Sequence, residues 1–148
     1  MNYLFDTNIL LFYLRGGETA RKLDLEWGII SPKNRIMASV VSIGELKAIA
    51  MRNKWGRNRV RAIEEVMRDF LILDINTTEI LDKYAEIDAF SQGKHPNIPL
   101  SISARNMGKN DLWIAATASV YDLTLLTTDN DFSHLSETFL TLNILQLP

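Results

Sequence analysis

Short runs rich in small, β-branched or large apolar residues, at 3–5, 35–41, 71–75, 123–127 and 143–147, alternate with stretches whose apolar residues recur at helical spacing. That alternation leaves few architectures open. A strand can follow another in parallel only through a crossover, and the crossover helix must pack on a face of the sheet. The expected fold class is α/β, with a mainly parallel central sheet covered by helices on both faces, a three-layer α/β/α sandwich. A chain of 148 residues that is 47% hydrophobic fits one core, so residues 1–148 are expected to form a single domain. No apolar run approaches the ~20 residues of a membrane helix, and the first residues show no basic leader or small-residue cleavage site. Cysteine is absent, which excludes disulfides and thiolate metal sites. The chain is expected in the cytoplasm, away from membranes.

The helix signals refine this outline. Asp6-Thr7-Asn8 are residues favoured at helix N-caps, and an apolar stretch follows them up to Gly16-Gly17. Further helices are predicted over 18–27, over 42–53 and from 57 to about 70, the last with Val60, Ile63, Met67 and Phe70 on its apolar stripe. Thr77-Thr78 cap a helix whose stripe is Ile80, Leu81, Tyr84 and Ile87, ending near Gly93. Asn110 or Asp111 opens a helix rich in alanine, small enough for close packing on a sheet. Between them, 94–109 lacks periodicity and carries Pro96, Pro99 and Gly108. Such a long irregular connection is uncommon unless functional or mobile. A solvated loop is the favoured reading over a lid, an RNA contact or a partner contact, and no site residue is assigned there.

In parallel α/β sheets ligands bind beyond the carboxyl ends of the strands. Asp6 and Asp129 each follow a strand at that end, while Glu45 and Asp111 fall in the first turns of helices expected to start there. Singly, each acid has a structural explanation. Asp6 caps a helix, Ser42-x-x-Glu45 reads as a capping box, Asp111 suits a helix start, and Asp129 shapes a turn with Asn130 and Asp131. Together they are harder to explain that way. Two carboxylates ~4 Å apart repel by roughly 4 kcal/mol at an effective dielectric of 20, so a cluster must take up protons or hold cations. A hard divalent cation, Mg²⁺ or Mn²⁺, matches an all-oxygen donor set. One or two such ions would suit in-line phosphodiester hydrolysis, which needs no histidine nucleophile. His95 and His134 lack metal-ligand spacing.

At MNYLFDTNILLFYL, SIGEL and NDLWIAATASVYDLTLLTTDNDF, the sequence resembles the PIN-domain nucleases, particularly the VapC-type toxins of toxin–antitoxin pairs. The resemblance spans nearly the whole chain. It implies a PIN-like three-layer fold and metal-dependent endoribonuclease activity, with Asp6, Glu45, Asp111 and Asp129 as the catalytic, metal-binding acids. Asn8, Thr127 and Asp131 match supporting polar positions of the family, though capping or turn roles fit them too. It also implies an antitoxin partner that covers or blocks the site, and commonly a homodimer. Phe12, Tyr13 and Trp27 are expected to pack within the molecule rather than form such an interface.

Net charge is −2, which supplies no global attraction for nucleic acid. Charge is nevertheless uneven, since 46–63 holds Lys47, Arg52, Lys54, Arg57, Arg59 and Arg61 with no acid. Arg57, Arg59 and Arg61 are candidate RNA-phosphate contacts, against the alternative of a solvated helix face. Phospho-aspartyl chemistry is disfavoured, because Asn8 stands where a phosphatase needs a second aspartate. The remaining alternative is a non-catalytic RNA- or protein-binding module of the same fold, which metal-dependent turnover would distinguish.

Overall fold

The computed structural model describes residues 1–16, 18–28 and 31–146, without the side chains of 18–20, 26 and 27. The strands are β1 (Asn2–Phe5), β2 (Arg35–Ser39), β3 (Leu71–Leu73), β4 (Thr124–Thr127) and β5 (Thr141–Ile144). Between them run α1 (Thr7–Arg15), α2 (Glu18–Trp27), α3 (Val40–Arg52), α4 (Arg57–Asp69), α5 (Thr78–Ser91) and α6 (Lys109–Val120), with a 3-10 helix at Asn130–Leu135. The sheet is parallel throughout, in the order β3-β2-β1-β4-β5.

Alternation along the strands divides the core. Tyr3 and Phe5 of β1 point to one face with α1, α3 and α4, whereas Leu4 points to the other with α5 and α6. Ile9, Leu10, Ile43, Leu46, Ile63 and Val66 fill the first layer; Ile80, Ile87, Phe90, Leu112 and Ile114 fill the second. The α/β/α sandwich expected from the alternation is the fold. The inner strands β1, β2 and β4 are largely buried, which explains their apolar sequence, whereas the edge strands β3 and β5 are partly exposed. α1 ends at Gly16, whose φ of 66° favours glycine and whose N–H donates to the carbonyl of Tyr13. The expected companion Gly17 lies outside the described residues.

Several predicted boundaries shift. β2 stops at Ser39, and α3 starts at Val40 instead of Ser42, because the Ser39 hydroxyl accepts the Val41 N–H at 3.1 Å. β5 begins at Thr141, two residues before the predicted 143, where Thr141 pairs with Thr124; Leu147 lies outside the described residues. Val60 and Met67 are 41% and 42% exposed on α4, whose buried residues are Ile63 and Val66, with Phe70 buried just past its end as the C-cap. Leu81 is likewise exposed. Residues 94–108 contain neither helix nor strand, as the sequence predicts. Their ends are nonetheless tied down: the Arg105 N–H donates to the Ser91 carbonyl at 2.7 Å, and Met107 is buried. The Ser91 hydroxyl lies 2.7 Å from His134 Nε2. Tyr13 packs on Phe70 at a centroid distance of 5.3 Å and Phe12 is half-buried, while the Trp27 side chain is outside the description. Among the described residues no helix is long and apolar enough to cross a membrane.

Candidate active site

β1 and β4 are neighbours, so the residues that follow them emerge side by side at the carboxyl edge of the sheet. The Asp6 N–H donates to the Leu126 carbonyl at 2.9 Å, carrying the pairing one residue past β1. Asp6 is 4% exposed, and each carboxylate oxygen accepts one bond: Oδ1 the Thr7 N–H at 2.7 Å, and Oδ2 the Thr127 hydroxyl at 2.6 Å. The same Thr127 hydroxyl accepts the Asp129 N–H at 3.0 Å. One buried threonine thus links the acid after β1 to the acid after β4.

Thr7 provides the matching link to α3. Its hydroxyl lies 2.7 Å from Glu45 Oε1 and 2.9 Å from Ser42 Oγ. A hydroxyl has one proton, and the carboxylate is the stronger acceptor, so Thr7 donates to Glu45 and accepts from Ser42. This corrects the capping-box reading of Ser42 and Glu45. With Ser39 as the cap, Glu45 sits in the second turn of α3, turned toward Thr7.

Asp111 in the first turn of α6, Asp129 as the cap of the 3-10 helix, and Asp131 in its first turn form a close group. One carboxylate oxygen from each lies within 4.8 Å of those of the other two. Asp129 Oδ1 accepts the Asp131 N–H at 2.8 Å, so capping and clustering are served by one conformation. Asp6 and Glu45 adjoin this trio, and their charges are felt at Asp111. Burial first, then Asp6, Asp129, Glu45 and Asp131, push the Asp111 carboxyl up to about 7 from an ordinary 3.8. Burial also raises Asp6, against the lowering effect of its bonds from Thr127 and Thr7. Among the described residues no lysine or arginine reaches ion-pair distance of any of these acids. The donors are all hard oxygens, a set that suits Mg²⁺ or Mn²⁺ rather than a softer metal.

The structure therefore brings Asp6, Glu45, Asp111, Asp129, Asp131 and Thr127 to one place. Asn8 is exposed on the first turn of α1 and, among the described residues, makes no hydrogen bond to the group. Arg57, Arg59 and Arg61 lie exposed on α4, on the opposite layer from α6; Arg59 sits 5.7 Å from the Trp55 ring centroid. Sequence reasoning missed Thr7 and Ser42 as parts of the site. The available signal was the spacing of Ser42 and Glu45, which places both on one face of a helix whatever its cap.

The PIN domain model matches residues 3–137 of the chain. No curated protein matches the sequence. Among solved structures, a chain of the VapBC2 complex from Rickettsia felis bound to a promoter DNA fragment superposes with a TM-score of 0.75 at 21% identity, covering 97% of this chain and 98% of that one. A chain of VapBC-1 from nontypeable Haemophilus influenzae gives 0.73 at 23% identity, over 97% and 98%. One from VapBC-5 of Mycobacterium tuberculosis, described as a member of a family of toxin–antitoxin systems, gives 0.64 at 21%, over 99% and 98%.

Proposed function

The chain belongs to the PIN domain family, and on that premise we propose that it is a metal-dependent endoribonuclease, the toxin of a toxin–antitoxin pair acting in the cytoplasm. The observation that carries the reading is the acid group at the carboxyl edge of the sheet, half-buried and, among the described residues, with no lysine or arginine at ion-pair distance. Mg²⁺ or Mn²⁺ would be held by Asp111, Asp129 and Asp131, with Asp6 and Glu45 beside them. When bound, such an ion supplies charge neutralisation and electrophilic activation for phosphodiester hydrolysis.

The chain's own groups prepare the site. The Thr7 N–H and the Thr127 hydroxyl fix both oxygens of Asp6, so its charge has one orientation. The Thr7 hydroxyl holds Glu45 toward the same space. A water activated for attack on phosphorus would have carboxylate oxygens of Asp129 and Glu45 on hand as proton acceptors, and in-line attack would leave 5′-phosphate and 3′-hydroxyl ends. Supporting the toxin reading, the similar solved structures are toxin–antitoxin complexes. The proposed partners are an RNA substrate, a cognate antitoxin and a second copy of the chain.

Structured RNA incubated with the protein, with Mg²⁺, Mn²⁺ or EDTA, tests the activity. The expected result is cleavage with either metal, none in EDTA, and at least a hundredfold loss in Asp129→Asn. Cyclic-phosphate ends produced in EDTA would exclude the mechanism.

A further inference from the structure

α3 and α6 touch each other although their cores lie on opposite faces of the sheet. Outside that contact they leave a groove of about 440 Å³, lined on the α3 side by Gly44, Glu45, Ala48 and Arg52 and on the α6 side by Asn110 and Trp113. It opens from the acid group itself, because Glu45 belongs to both. Its other end is cationic: Arg52 is exposed and has no ion-pair or hydrogen-bond partner among the described residues. Glu45 and Arg52 are seven positions apart on the helix, about 10 Å along the axis.

Gly44 gives the groove its depth. Its backbone is ordinary right-handed helix, where glycine is destabilising relative to alanine. A Cβ built there meets nothing within 4 Å. Nothing among the described residues therefore requires a glycine here, and the missing side chain leaves the α3 face open to close approach by a ligand.

Resting on the nuclease reading, we infer that this groove carries the single-stranded RNA on one side of the scissile phosphodiester. The Asn110 amide and the Arg52 guanidinium contact its backbone, and Gly44 and Ala48 let the strand lie close. A phosphodiester placed at the acids must send its flanking nucleotides somewhere, and this channel leaves the acids and leads to unpaired positive charge.

Gly44→Leu fills the groove with a good helix former at an open position, and Arg52→Ala removes its cation. Binding is read by fluorescence anisotropy with labelled phosphorothioate RNA, which resists cleavage. Turnover is read with the small diester bis(p-nitrophenyl) phosphate, which fits at the acids without entering the groove. Gly44→Leu should melt no lower than wild type and hydrolyse the small diester within twofold of it, yet bind RNA at least tenfold more weakly. Arg52→Ala should reduce the slope of log affinity against log salt by about one. RNA binding by Gly44→Leu equal to wild type would overturn the inference. So would a fall from two copies to one in solution mass accompanying the RNA loss, which would make the groove a subunit contact. Weaker RNA binding by Gly44→Leu, in a wild type that turns over neither RNA nor the small diester, would keep the groove and sink the nuclease reading instead.

Discussion

The carboxyl of Asp111 keeps its proton up to about pH 7, because burial and then the charges of Asp6, Asp129, Glu45 and Asp131 disfavour its anion. A metal must displace that proton, so binding and deprotonation are coupled. The apparent affinity for Mn²⁺ should weaken by up to tenfold for each pH unit below 7 and level off above it; titrations at pH 5.5, 6.5 and 8 check this. Asp111→Asn should bind weakly at every pH, with a flatter profile. Thr127 tests the supporting bonds in isolation. Thr127→Val keeps the shape but removes both the donor to Asp6 and the acceptor for the Asp129 N–H. A partner bond of this kind is typically worth ten- to a hundredfold in metal affinity. Loss in that range is expected, alongside about 1–3 kcal/mol of stability from the polar groups left unsatisfied, read by urea unfolding in EDTA.

α3 shows where sequence patterns stop being informative. Ser39 and Ser42 both precede apolar residues, and only Ser42 has a glutamate three positions on, so local chemistry favours Ser42 as the cap. The structure chooses Ser39, because β2 ends there, at the register that pairs Ser39 with Leu73 of β3. Ser42 and Glu45 are thereby freed to meet Thr7. That contact joins residues 38 positions apart and could not be read from any local window. Removing the observed cap should be felt: Ser39→Ala is expected to cost about 1 kcal/mol, measured by chemical denaturation. By contrast, the strand–helix alternation was legible, since parallel strands covered by helices on both faces carry continuous apolar runs, most fully in β1, β2 and β4. The placement of Asp6 and Asp129 after β1 and β4 was legible for the same reason. The pairing of Asp131 with Asp111 was not, because it depends on the 3-10 helix that replaces the simple turn expected after Asp129.

For the whole molecule, the crowded carboxylates make the metal-free fold sensitive to pH in an unusual direction. Asp111 and Asp6 both hold protons more tightly when folded than at the ordinary 3.8 of an unfolded aspartate. The stabilising contribution of Asp111 is therefore fully present below about 3.8 and is lost as pH rises through about 7, and that of Asp6 is lost in the same direction. In EDTA, Asp111→Asn should melt above wild type at pH 8, and the gap should close toward pH 5. Saturating Mn²⁺ should reverse the order at pH 8, because only the wild-type site gains binding energy on folding. The central claim is that the acids at the carboxyl edge form a metal centre, and calorimetric titration of Mn²⁺ at pH 8 into wild type, Asp111→Asn and Asp129→Asn tests it most directly. The account predicts saturable binding to wild type and at least a tenfold loss in each variant, with all three equally folded by circular dichroism. Wild-type binding unchanged by both substitutions, or absent altogether, would contradict it.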